Sequence, residues 1–104
     1  MNNPLVLCLL VAAPSHLALT GVYEVDPVMG QYNRIELCSH GFARFFSTDH
    51  TKKAYYRWKV SNGFFYLNGL GYYHKVEENR IVLTPAEDLS AQVTYLYKQG
   101  EIDG

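Results

Sequence analysis

The sequence predicts a single all-β domain, an antiparallel meander of about eight short strands that closes into a small barrel or a flattened barrel-like sandwich. Three observations favour this fold. A chain of 104 residues has the length to bury one hydrophobic core. Nine tyrosines and five phenylalanines favour strands, because flat side chains pack well on a pleated surface. From residue 19 onward, short runs of alternating polarity are separated by turn-forming residues.

The N-terminal segment, residues 1–18, is apolar, and the first charged side chain in the sequence is Glu24. Its uninterrupted apolar run, Leu5 to Ala13, is too short to span a bilayer, which needs about 20 residues. The run has the length of a secretory signal core, but no Lys or Arg precedes it and Pro14 follows the best cleavage position. Two alternatives stay open. A cleaved signal peptide would indicate a secreted or periplasmic protein, and a packed strand or short helix would indicate a cytoplasmic one.

The two cysteines leave the redox compartment undecided. Cys8 and Cys38 can pair only if the N-terminal segment is retained. One optional disulfide is a weak indicator of secretion, so we draw no conclusion from it.

The barrel-like domain is predicted to cover residues 19–98, and its first half contains four strand patterns. Asp26-Pro27 is expected to end the first alternating run. The fourth run alternates between an apolar row and a row that contains Arg57 and Lys59. The four predicted strands are residues 19–25, 34–38, 42–47 and 54–60.

The second half begins at the strongest turn signal, Asn62-Gly63, which supplies the positive φ angles that a tight hairpin needs. We expect one helical turn at residues 86–89 and a frayed polar tail at residues 99–104. Strands joined by short turns pair with their neighbours, and closure of the meander removes its exposed edges. The four further strands are predicted at residues 64–67, 72–76, 81–83 and 91–98.

Strand parity divides the aromatic residues between the two sides of the sheet. Some share a face with aliphatic neighbours and are predicted to fill the interior; these are Tyr23, Tyr56, Trp58, Tyr95 and Tyr97. Others fall on the opposite faces of their strands, together with either Phe42 or Phe45; these are Tyr55, Phe64, Tyr66 and Tyr73.

Leu19 to Tyr23 resembles the first strand of the lipocalin-like (calycin) barrels, which carry a glycine two residues before an aromatic residue. The matching positions are Gly21 and Tyr23, where the common form of the motif has Trp in place of Tyr23. The later order of strand, glycine hairpin and strand is similar to that of the compact members, so the resemblance covers residues 19–98. It implies a barrel that carries an apolar small molecule. In this alternative Tyr56, Trp58 and Tyr95 would line the cavity.

Neither a catalytic nor a metal site is predicted. Cys38 and His40 could project to one side of a continuing strand, with His50 near in sequence, but structural zinc sites need four ligands. A thiolate–imidazole pair oriented by Asp49 would need an oxyanion loop that the sequence does not provide. The adjacent carboxylates Glu77-Glu78 and Glu87-Asp88 lie at turns and indicate solvated charge. We therefore expect a protein that is not an enzyme and that needs no metal or cofactor.

A basic and aromatic stretch raises a further alternative, single-stranded nucleic-acid binding. Five of the nine cations fall within sixteen residues and are interleaved with Tyr55, Tyr56 and Trp58. Cations beside aromatic rings bind single strands on small barrels, but a net charge of −1 disfavours a protein that depends on phosphate contacts. The five cations are Arg44, Lys52, Lys53, Arg57 and Lys59.

The favoured interpretation is a non-catalytic binding module that occupies a partner protein, as an inhibitor or immunity-type protein does. Large aromatic side chains leave little cavity inside so small a barrel, so the outer surface is the better candidate for recognition. One alternative is that residues 4–18 cover these rings. Whether two chains pair through their edges stays open. The predicted contact residues are Tyr55, Arg57, Lys59, Phe64, Tyr66 and Tyr73.

Overall fold

A computed structural model describes residues 16–102 and shows a closed antiparallel β-barrel. Each strand pairs with the next, and the last strand pairs with the first, which closes the barrel. The predicted all-β meander of eight strands is therefore confirmed. A short 3-10 helix, His16–Leu19, precedes the barrel. The strands are β1 (Gly21–Met29), β2 (Tyr32–Leu37), β3 (Phe42–Ser47), β4 (Lys53–Ser61), β5 (Phe64–Leu67), β6 (Leu70–Glu77), β7 (Arg80–Pro85) and β8 (Thr94–Gly100).

The structure corrects the predicted end of the first strand, the helical turn and the bounds of the last strand, and it shifts the other strand bounds by at most two residues. β1 does not end at Asp26-Pro27 but runs to Met29, and the proline falls where the register with β2 shifts, so its missing N–H costs no regular ladder bond. Residues 86–89 form bends and a turn instead of a helical turn, because the Asp88 carboxylate accepts hydrogen bonds from the backbone and hydroxyl of Ser90. β8 begins at residue 94 and extends two residues into the predicted tail.

Most of the predicted leader lies outside the described residues, as does the option of a disulfide between Cys8 and Cys38. Cys38 itself is buried at the end of β2. No helix in residues 16–102 has the length and apolar character needed to cross a bilayer.

Large apolar side chains fill the barrel interior. The Trp58 ring stacks on Phe65 with 5.7 Å between the ring centroids and 29° between their planes, and its Nε1 donates a 2.9 Å hydrogen bond to the Cys38 carbonyl. At the same end, the Tyr23 hydroxyl donates to the Leu19 carbonyl over 2.8 Å. The predicted inward positions of Tyr23 and Trp58 are thereby confirmed. The largest side chains that are completely enclosed are Phe65, Ile35, Leu37, Ile81, Leu83 and Leu96.

The predicted inward positions of Tyr95 and Tyr97 are wrong. Leu96 is fully buried and opposite Ile81, so its two neighbours on β8 point outward. There the Arg80 guanidinium lies 4.8 Å from the centroid of Tyr95 and 6.0 Å from that of Tyr97. The barrel interior is narrow and already filled, so it accommodates the Leu96 side chain more readily than the larger rings of Tyr95 and Tyr97.

Gly21 occupies a position where a side chain would be strained. Its φ is +151°, and a Cβ atom there would lie 2.9 Å from the Gly100 carbonyl oxygen on β8. The glycine thus permits β1 and β8 to approach closely where the barrel closes.

Candidate functional site

All six predicted contact residues lie on one side of the barrel. Tyr55, Arg57 and Lys59 form the outward row of β4, opposite the inward Trp58. Ladder pairs connect them to the next two strands, since Lys59 is opposite Tyr66 and Phe64 is opposite Tyr73. On the other side, Phe42 of β3 is opposite Arg57. We call this surface the aromatic–basic face; it consists of Phe42, Tyr55, Arg57, Lys59, Phe64, Tyr66 and Tyr73.

Three aromatic rings of this face contact one another, and several of its rings are exposed to solvent. The Phe64 ring centroid lies 4.9 Å from that of Tyr73 and 6.1 Å from that of Tyr66. Exposed fractions reach 64% at Tyr55, 47% at Tyr73 and 44% at Phe42. Rings that contact one another and remain open to solvent are the type of surface that protein interfaces enrich.

Two cations lie over rings of the same face. The Arg57 Cζ atom is 4.6 Å from the Phe42 centroid, and the Lys59 Nζ atom is 5.3 Å from the Tyr66 centroid. Neither cation, nor Lys53 at the start of β4, forms an ion pair with any residue in the described part of the chain. The ring contacts therefore position charges that no carboxylate of residues 16–102 neutralises.

An open groove of about 890 Å³ adjoins this face. It lies where β4 changes partners, because residues 53–57 pair with β3 and residues 58–61 pair with β5. The Trp58 amide donates to the Gly41 carbonyl, and the Asn68 amide donates to the Arg57 carbonyl, which hold the two flanking turns against β4. The groove is lined by Ser39, His40, Gly41, Arg57, Trp58, Lys59, Tyr66 and Gly69.

Acidic residues border this surface but do not enter it. β3, β4 and β5 contain no Asp or Glu. On the neighbouring β2, Glu36 is held by Arg34 at 2.9 Å and by Arg44 at 2.8 Å. On β6, four residues beyond Tyr73, Glu77 is paired with Arg80, which holds the pKa of its carboxyl below the usual value. Charge is therefore distributed unevenly around the barrel.

The residues weighed for catalysis or zinc binding do not form a site. Cys38 is buried, whereas His40 and His50 are exposed in separate turns. Hydrogen bonds from Thr51 and from Ser47 lower the pKa of the Asp49 carboxyl to about 2, so this group stabilises its own loop. Within residues 16–102, no three His, Cys, Asp or Glu side chains are placed to hold a metal ion.

The residues of the small-molecule alternative are not brought together either. Trp58 is buried beside Phe65, Tyr95 lies on the outer surface, and only Tyr56 reaches an opening of the barrel. That opening is a pocket of about 260 Å³ that sequence reasoning missed, because Tyr32 and Tyr72 converge on Tyr56 only through the closed register. Its walls are formed by Met29, Gly30, Tyr32, Phe45, Tyr56, Leu67, Asn68, Leu70 and Tyr72.

Sequence reasoning also left the choice between Phe42 and Phe45 open. The structure places Phe45 in the core at 4% exposure and Phe42 on the aromatic–basic face. Arg44 is the signal that distinguishes the two phenylalanines. A charged side chain faces outward, and residues two positions apart on a strand lie on the same face, so Phe42 faces outward with Arg44.

Compared with known families and with curated proteins, the sequence matches no family model and no curated protein.

Proposed function

We propose that this barrel is a non-catalytic binding module that occupies a partner protein through the aromatic–basic face, as an inhibitor or immunity-type protein does. The observation that supports this proposal is the convergence, on one side of the barrel, of exposed rings and of cations that have no carboxylate partner in residues 16–102. Arg57 and Lys59 lie at its centre, between Phe42 and Tyr66. Tyrosine and arginine dominate the energetics of protein interfaces, because they bury large areas and form directional contacts.

The packed interior supports the same proposal. Phe65 and Trp58 occupy the barrel axis together with the aliphatic core, so recognition falls to the outer surface. A face built on four paired strands is also rigid, which limits the entropy lost when a partner binds.

Arg57→Glu is the variant that tests the proposed function. We expect it to abolish capture of the partner from an extract of the host. The free energy of unfolding should fall only by about 0.5–1 kcal/mol, the contribution of one exposed cation–π contact. The matched control is Gln92→Glu/Gln99→Glu, which lowers the net charge by the same amount at exposed positions outside this face. Capture should survive in the control. Unchanged capture by Arg57→Glu, or equal loss in both variants, would contradict the proposal.

A second candidate function is favoured by the pocket at the barrel opening. This candidate is a small carrier of an apolar molecule. The resemblance of Gly21 and Tyr23 to the first strand of lipocalin-like barrels favours it. At about 260 Å³ the pocket is smaller than most drug-sized sites, so its ligand would be small. Titration with indole should then shift the ring resonances of Tyr56 and Tyr72. Absence of those shifts at millimolar indole would exclude it.

A further inference from the structure

The charge distribution of the barrel indicates what kind of partner the aromatic–basic face takes. β3, β4 and β5 carry four of the nine cations of the chain and no acidic residue. The remaining five cations share the rest of the chain with all ten acidic residues. Arg44 shares the Glu36 carboxylate with Arg34, and Lys53, Arg57 and Lys59 have no carboxylate partner in residues 16–102.

The two central cations are held in place before any partner arrives. Arg57 and Lys59 are two residues apart on one strand face, which separates their Cα atoms by about 7 Å. Their contacts with Phe42 and Tyr66 restrict both side chains. Like charges this close repel each other, so they attract carboxylates of a partner. Because both side chains are already restricted, binding would cost little additional side-chain entropy.

The groove beside these cations has the shape of a site for a peptide segment. Its volume of about 890 Å³ is large for a single side chain, and it is open to solvent along β4. Gly41 and Gly69 lie in the two turns at its walls, so no side chain from either position obstructs access to Arg57 and Lys59.

We infer that the partner meets this surface with an acidic segment, whose carboxylates bind Arg57 and Lys59 in the groove while its apolar side chains cover Phe64 and Tyr73. This inference rests on the proposed function and adds the chemistry of the partner. Charge-assisted hydrogen bonds to the two cations would fix the register of the segment, and burial of the rings would supply most of the affinity.

Two other occupants share part of this chemistry and fit less well. Single-stranded nucleic acid is attracted by cations over a long range, but a net charge of −1 gives little such attraction. The rings of Phe64, Tyr66 and Tyr73 also contact one another instead of standing apart as platforms for successive bases. A second copy of this chain, docked through the same face, would set cations against cations.

The inference is tested by NMR titration of the ¹⁵N-labelled full chain with poly-L-glutamate of about 20 residues at low salt, in parallel with an oligothymidylate of about 10 nucleotides. Poly-L-glutamate should shift the amides of Gly41, Arg57, Lys59 and Gly69. In Arg57→Gln/Lys59→Gln its affinity should fall about 5- to 30-fold, since each exposed charge pair contributes roughly 0.5–1 kcal/mol. The control Lys52→Gln/Lys75→Gln removes two cations outside the groove and should bind as the wild type does.

Three results would overturn the inference: no shift in the groove, equal binding by both double variants, or tighter binding of the oligothymidylate at the same amides. The last would assign the face to nucleic acid.

Capture of the partner separates this inference from the proposed function. If Tyr66→Ala/Tyr73→Ala abolishes capture while Arg57→Gln/Lys59→Gln retains it, the binding face stands and the acidic segment is wrong. If neither variant affects capture, both are wrong. Loss of capture in both variants supports the binding face and, together with the groove shifts produced by poly-L-glutamate, the acidic segment.

Discussion

Leu96 is the side chain whose truncation tests the register of the barrel most directly. It is completely buried, lies opposite Ile81 on β7 and is opposite Val25 on β1. Leu→Ala at such a site removes the transfer free energy of the lost methyl groups and leaves a cavity, at a cost of about 2–5 kcal/mol. Because the closed ladder limits relaxation around the cavity, we expect the upper half of that range.

Tyr95 provides the matched comparison on the same strand. Tyr95→Ala removes more atoms, but it loses mainly the contact with Arg80 at 4.8 Å and the ring contact with Tyr97 at 6.0 Å between centroids. Together these contribute about 1–2 kcal/mol.

Urea unfolding of the two variants measures the difference between their free energies of unfolding. Similar dependence of these free energies on urea concentration would show that the unfolded states are comparable. A cost at Tyr95 equal to or above that at Leu96 would mean that the tyrosine faces inward, and the described register of β8 would be wrong.

Three further predictions concern single residues. Gly21→Ala places a Cβ atom 2.9 Å from the Gly100 carbonyl oxygen, so it should lower the melting temperature well below that of Gly30→Ala, where a Cβ has no neighbour within 4 Å. Burial raises the pKa of Tyr23 from 10.0 to about 12, so its contribution to stability is present below pH 10 and is lost as the pH rises through 12. The free energy of unfolding of Tyr23→Phe should therefore depend less on pH between these values than that of the wild type. Equal pH dependence in the two proteins would contradict this. Hydrogen bonds lower the pKa of Asp49 from 3.8 to about 2, so the contribution of this carboxylate to stability is present above pH 3.8 and is lost as the pH falls through 2. Asp49→Asn should remove this part of the acid dependence of the free energy of unfolding. An NMR titration midpoint near pH 4 for the Asp49 carboxyl would refute the prediction.

The strands could be predicted because their turns carry strong local signals. Asn62 and Gly63 have φ values of 53° and 84°, as the Asn-Gly pair requires. Polarity alternates along β4, and turn-forming residues flank β3 on both sides, so both strands were placed within one residue. β8 gave no such signal, because Tyr95, Leu96 and Tyr97 are all large and apolar, and local parity does not distinguish the inward row from the outward one.

The contact residues could be placed on one face because charge fixes parity. Arg57 and Lys59 cannot enter a filled core, so their row of β4 had to face outward and bring Tyr55 with it. The position of Phe42 under Arg57 depends on the register between β3 and β4, which the sequence does not specify. The groove depends on the same long-range detail, the point at which β4 changes partners.

Hydroxyl-radical footprinting of the complex with its partner, read out on individual tyrosines, is the measurement that tests the binding face most directly. Tyr55 and Tyr73 are exposed and should react in the free protein, and the partner should protect both. Tyr95 and Tyr97, on the β8 surface outside this face, should keep their reactivity. Protection of the β8 pair with no change at Tyr55 and Tyr73 would place the interface elsewhere and contradict the proposed function.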